Sequence, residues 1–283
     1  MNIPFMPDLK GKVAVVTGGA GVLCSMFARA VAACGAKVAV LDLALERAED
    51  VAKSIVSEGY EAMAVACNVL EKESVAAAKE KVSAVYGPCD ILINGAGGNS
   101  PKATTDDEFF DRAVFEDPGR KSLFDLDLAG FGFVFGLNLT GTLLPTQAFA
   151  LDMLDRPGSV ILNVSSMNAF TPLTKIPAYS AAKAAVSNFT QWLAVYFAKS
   201  GIRVNAIAPG FFSTQQNAAL LWNADGSPTA RTQKILSNTP MGRFGEAEDL
   251  LGTLLWLLDQ KSSGFVTGVI VPVDGGFSAY SGV

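Results

Sequence analysis

Apolar residues in this chain fall into runs of two lengths. Short runs rich in Val, Ile and Ala occupy 12–17, 37–41, 62–66, 91–93, 160–164, 203–207 and 269–273, the length and β-branched content of strands. Longer stretches at 22–34, 45–57, 72–86, 142–154, 179–200 and 246–258 read as helices. Most strand runs are apolar at consecutive positions, so both of their faces must be covered. Apolar strands alternating with helices predict an α/β fold: one doubly wound parallel sheet, in a single domain over 1–283. Two stretches read as loops, an enlarged one at 98–135 and a second at 211–245.

The first units carry further information. The first strand runs into Thr17-Gly-Gly-Ala-Gly21, a helix follows at once, Gly35 ends it, and the second strand closes at Asp42. Strand, glycine turn, helix and strand with a terminal acid form the βαβ unit of a Rossmann domain. Its glycines let backbone N–H groups approach a pyrophosphate, and the helix N-terminus favours negative charge. Asp42 would accept hydrogen bonds from ribose hydroxyls and repel a 2′-phosphate. No basic residue immediately follows it, so NAD (NADH) is expected rather than NADP. In such sheets ligands bind beyond the strand C-termini. Asn68-Val69, Asn94-Gly-Ala-Gly97, Ser165-Ser166 and Pro209-Gly210 all stand at such ends.

The composition narrows the chemistry, because the chain has no histidine. Ser-His-Asp triads, histidine metal ligands and histidine bases are excluded; no metal site is expected. Proton transfer must use Tyr, Lys, Cys or a carboxylate. Tyr179 and Lys183 are four residues apart on a predicted helix, so both side chains leave one face. An adjacent ammonium is expected to lower the phenol pKa. A strand end delivering Ser165 or Ser166 beside them completes a hydroxyl, phenol and ammonium set.

Charge and cysteines bear on partners and compartment. With a net charge of −5, the overall field does not favour nucleic acid or an anionic membrane. The four cysteines show no C-x-x-C pairing and lie in or beside apolar elements, which suits reduced core residues in the cytoplasm. The first residues lack a basic region followed by an apolar run, and no apolar run reads as long enough to span a bilayer.

These motifs, in this order and over nearly the whole chain, resemble the short-chain dehydrogenases/reductases. The matching residues are Thr17-Gly-Gly-Ala-Gly21, Asp42, Asn68-Val69, Asn94-Gly-Ala-Gly97, Asn138, Ser166, Tyr179-Ser-Ala-Ala-Lys183 and Pro209-Gly210. The resemblance implies that Gly18, Gly19, Gly21, Val22, Leu23, Asp42 and Leu43 hold the adenosine diphosphate. It further implies that Asn68 and Val69 flank the adenine, and that Asn94, Gly95, Ala96 and Gly97 border a ribose. Pro209, Gly210, Phe212 and Thr214 would hold the nicotinamide carboxamide. Ser166 and Tyr179 would bind the reacting oxygen, Lys183 would lower the phenol pKa and grip the nicotinamide ribose, and Asn138 would position a water. Ser166 rather than Ser165 has the family's separation from Tyr179, and alternation turns its neighbour to the opposite face.

Two departures from the family pattern stand out. The usual turn, Thr-Gly-x-x-x-Gly-x-Gly, would place glycines where Val22 and Cys24 stand; a small packing role is expected for Cys24. The segment 98–135 is longer than in most relatives and is expected to form a lid. Asn99, Asn168, Lys175 and Gln215, with Gln216 and Asn217 nearby, suggest a pocket of amides and hydroxyls for a polyhydroxylated small molecule, a sugar acid or polyol. The stretches 95–105, 166–177 and 271–280 resemble the subgroup of D-mannonate oxidoreductases, or fructuronate reductases. That implies a substrate carboxylate, for which Lys102, Arg120 and Lys175 are candidates. A polyol or keto-sugar dehydrogenase and a non-catalytic dinucleotide sensor remain alternatives. Helices apolar around much of their circumference, 142–154 and 179–200, suit a homotetramer.

Overall fold

A computed structural model describes residues 3–213 and 221–282. Seven strands form one sheet in the order β3-β2-β1-β4-β5-β6-β7: β1 (Val13–Thr17), β2 (Lys37–Asp42), β3 (Ala62–Ala66), β4 (Ile91–Asn94), β5 (Val160–Val164), β6 (Arg203–Pro209) and β7 (Ile270–Val273). Every neighbouring pair is parallel. The order reverses between β1 and β4, so a crevice opens there beyond the strand C-termini. Register brings Thr17 level with both Leu41 and Asn94, and Asn94 level with Asn163.

Alternation sorts the strand residues into two cores. Val16, Val40, Ile93 and Leu162 pack against α1 (Val22–Ala33), α2 (Leu45–Ser57) and α8 (Leu251–Leu258). Val15, Leu41, Leu92 and Ile161 pack against α3 (Lys72–Tyr86), α5 (Gly141–Met153) and α6 (Pro177–Phe197). β1 and β4 are buried along their full length, as strands covered on both faces must be. Lys12 and Arg156 anchor the opposite end of the sheet on Asp90, which is 2% exposed.

The two predicted loops contain helices. The last part of 98–135 is α4 (Leu128–Phe135), whose N-cap Asp127 accepts from Ala129 N–H at 3.0 Å. Within it Gly130 is needed for contact: a Cβ there would lie 2.5 Å from Lys102 Cβ. Segment 211–245 contains α7 (Ala230–Ser237), capped by Thr229. The 246–258 stretch divides into a short 3-10 turn and α8, and α9 (Gln260–Ser263) follows.

α4 continues through a π-helical turn, Gly136–Thr140, into α5. Contrary to the sequence reading, the resulting helix, Leu128–Met153, is long and apolar enough by length and composition to cross a membrane. Here one side of it packs on the domain, with Val134 against Ala178 and Ala182 of α6 and Phe149 in the second core.

Candidate active site

The crevice is a cavity of about 530 Å³. Of the candidate residues, Gly18, Gly21, Val22, Leu23, Asp42, Gly95, Ala96, Gly97, Ser166, Tyr179, Lys183, Pro209, Gly210 and Phe212 line it. Gly18 has φ +61°, and a Cβ there would come within 2.8 Å of Ala96 Cα, so only glycine fits. Asp42 accepts from Ala20 N–H at 3.1 Å and Ala44 N–H at 3.0 Å, which fixes its carboxylate beside the first turn.

Ser165 and Ser166 separate as alternation demands. Ser165 Oγ lies 2.7 Å from Ser187 Oγ on α6. The Ser166 side chain stands beside the Tyr179 phenol, near enough to act on its pKa as a hydrogen-bond partner. Lys183, 4% exposed, donates from Nζ to the Val164 carbonyl at 2.7 Å, and Nζ stands 5.7 Å from the Tyr179 ring centroid. Burial pulls the Lys183 ammonium down from 10.5 to about 8. Burial also pushes the Tyr179 phenol above its ordinary value, with the Ser166 hydrogen bond opposing it. The expectation that Lys183 lowers this phenol is corrected to that extent: desolvation sets the direction, and the ammonium is engaged by a backbone carbonyl.

Asn138 occupies the π-helical turn, a form frequent at functional sites. It is fully buried and donates from Nδ2 to the carbonyls of Gly98 and Val134, both at 2.8 Å. A Cβ on Gly97 would lie 2.7 Å from Asn138 Oδ1 and 3.1 Å from Lys183 Nζ, so both groups press on the same bare Cα.

Several candidates serve the frame and do not line the cavity. Gly19 packs under β2, where a Cβ would be 2.8 Å from Val40 Cγ1. Leu43 is 74% exposed, beyond the end of β2. Asn68 spends its side chain on Glu71 and Leu70 N–H, and Val69 is buried against Gly141. Asn94 is 2% exposed and donates to Thr146 Oγ1 (3.0 Å) and Asn163 Oδ1 (2.9 Å). Asn163 in turn donates to Thr190, while Thr146 donates to the Thr142 carbonyl and Thr142 to that of Asn138. A buried polar chain thus ties the sheet to the Asn138 turn.

Of the substrate-side candidates, Asn99 bonds Thr104 and lies outside the lining. Asn168 is buried behind Ser166, to which its backbone N–H donates at 3.2 Å. Lys175 adopts φ +71° and is also outside the lining. Thr214, Gln215, Gln216 and Asn217 fall outside the described residues. No residue of 98–135 lines the cavity; the expected lid is instead packed beside it. Thr105 N–H donates to the Lys175 carbonyl at 2.9 Å, and Glu108 pairs with Lys234 of α7.

The sequence reading missed Arg47, Leu221, Arg231, Ile235 and Phe244, which also line the cavity. Arg47 donates to the Ala20 carbonyl at 3.0 Å, near Asp42. It stands five positions after Asp42 in sequence, beyond the residue that immediately follows the acid.

Known proteins resemble this chain in sequence and in fold. The family model for short chain dehydrogenases matches residues 12–223. An uncharacterized oxidoreductase of Haemophilus influenzae is 59% identical over 100% of this chain and 99% of its own length. A crystal structure from Haemophilus influenzae, holding bound NAD and provisionally assigned as a D-mannonate oxidoreductase, superposes with a TM-score of 0.95; it is 58% identical, with 98% of each chain covered. The 5-keto-D-gluconate 5-reductase of Escherichia coli K12 is 31% identical over 95% of this chain and 96% of its own. With the switch-point crevice, the glycine turn and the Ser166, Tyr179 and Lys183 cluster in place, the chain belongs to the short-chain dehydrogenase family of oxidoreductases.

Proposed function

We propose that this protein is a cytoplasmic NAD(H)-dependent oxidoreductase interconverting a sugar-acid ketone and its alcohol, D-fructuronate and D-mannonate. The observation that carries the reading is the convergence of Ser166, Tyr179 and Lys183 on the wall of a cavity that begins at the 18–21 turn. The turn suits a dinucleotide: the α1 N-terminus has no side-chain cap, which leaves N–H groups for an anion. Gly18 admits close approach, and Asp42 stands where a ribose would meet it. The NAD held by the Haemophilus influenzae neighbour supports that choice.

Bound nicotinamide supplies the hydride acceptor or donor. Tyr179 exchanges the proton with the substrate oxygen, Ser166 orients that oxygen by a second hydrogen bond, and Lys183 holds positive charge behind the phenol. Asn138 secures the turn facing Gly97. The neighbours assigned to D-mannonate and 5-keto-D-gluconate support a sugar acid as substrate.

NADH oxidation measured with D-fructuronate, D-fructose and simple ketones in parallel tests the reading. Preference for D-fructuronate is expected. Preference for the neutral sugar would indicate a polyol or keto-sugar dehydrogenase. Tight NADH binding without any turnover would indicate a sensor. Exposed apolar residues on α5 and α6, Leu151, Trp192, Val195 and Tyr196, each more than half exposed, support a homotetramer; light scattering showing a monomer at micromolar concentration would rule it out.

A further inference from the structure

Three cationic side chains reach the crevice wall, and two of them are already engaged. Lys183 is held on the Val164 carbonyl and Arg47 on that of Ala20. Arg231 lines the same cavity and has no ion pair or hydrogen-bond acceptor for its side chain among the described residues. The basic residues expected to meet a carboxylate are placed elsewhere. Arg120 is paired with Asp107 at 2.6 Å, Lys102 packs on Gly130, and neither lines the cavity. Lys175 also lies outside the lining.

The helix carrying Arg231 is held by the insertion. Lys234, three residues along α7 and so on a neighbouring face, is paired with Glu108. Glu108 sits in the field of Lys234, Lys175 and Arg231, and its carboxyl lies below its usual range, chiefly through the Lys234 hydrogen bond. Lys175 and Arg231 therefore stand near an acid that Lys234 already neutralises. Phe211, Phe244 and Leu221 line the cavity beside Arg231, whose side chain is itself exposed and so reachable from solvent.

We propose that Arg231 binds the substrate carboxylate and sets the preference for acids over neutral sugars, and that the 98–135 insertion acts as a brace for it through Glu108 and Lys234. A guanidinium presents a planar fork that matches a carboxylate with two hydrogen bonds. The inference rests on the sugar-acid reading above.

Steady-state kinetics with D-fructuronate and D-fructose, alongside an NADH fluorescence titration, test it. Arg231→Leu is expected to raise KM for the acid by about 10- to 100-fold, the scale of losing a hydrogen-bonded charge. NADH affinity and the D-fructose kcat/KM should stay within about 2-fold of wild type, and Arg231→Lys should recover part of the loss. Glu108→Lys should raise KM for the acid alone, and the exchange Glu108→Lys with Lys234→Glu should restore it. An unchanged KM for the acid in Arg231→Leu, or equal losses on both substrates, overturns the proposal while leaving the substrate reading intact. A wild-type enzyme indifferent to the carboxylate overturns both, and that failure is seen before any variant is made.

Discussion

Cys24 Sγ fills the space that a side chain on residue 95 would need: a Cβ added to Gly95 would overlap it. The thiol stands where the family turn has glycine, and the missing atoms are taken from the facing strand end.

This pairing predicts coupling between the two positions. Gly95→Ala should destabilise the fold by about 1–3 kcal/mol through overpacking, and adding Cys24→Gly should recover part of that loss. Thermal unfolding of the double-mutant cycle measures it; strictly additive effects would dissociate the two residues. Burial pushes the Cys24 thiol up to about 12, so iodoacetamide should leave it unmodified in the folded protein at pH 8.

Tyr179→Phe removes the exchangeable proton and the hydrogen bond to Ser166, with little change in shape. Turnover should fall by about 10²- to 10⁴-fold, while fluorescence titration should give NADH affinity close to wild type. Turnover near the wild-type rate would remove Tyr179 from the mechanism.

Lys183 makes the stability depend on pH in a defined direction. Its folded pKa of about 8 lies below the ordinary 10.5, so burying the ammonium opposes folding. The cost is complete below pH 8, about 3 kcal/mol on the pKa difference. It fades as pH rises from 8 to 10.5, where the unfolded chain binds more protons. Denaturant melts of Lys183→Met against wild type should therefore show the variant relatively most stable near pH 7, with the difference shrinking toward pH 10.5. A difference constant across that range would contradict the assignment. The variant should be inactive throughout.

Asn94 should matter through position and not through contact with a ligand. Asn94→Ala breaks the bonds to Thr146 and Asn163 at a cost of about 1–3 kcal/mol, read as a lower urea midpoint. Because Thr146 and Thr142 lead on to the Asn138 turn, kcat should fall more than NADH affinity. An unchanged kcat in a destabilised protein would make the network purely structural.

Much of this architecture could be read along the chain. Each strand was located to within two residues at either end, because β-branched runs bounded by glycine or a polar residue declare themselves locally. The residue types of the reacting set followed from the absence of histidine and from the four-residue spacing of Tyr179 and Lys183. Errors came where a local signal met a distant partner. The segment 128–135 reads as part of a loop, but it forms a helix in which the close approach of Lys102 requires a residue without a side chain at 130.

By itself the sequence determined the order of strands and helices, the glycine turn with Asp42, and the phenol–ammonium pair, since each depends on residues a few positions apart. Tertiary packing decided that Cys24 faces Gly95, that burial governs the Tyr179 phenol, and that Arg231 and no residue of the insertion enters the cavity. Those outcomes join residues tens to more than a hundred positions apart. No local period encodes them; they follow from how the helices settle on the two faces of the sheet.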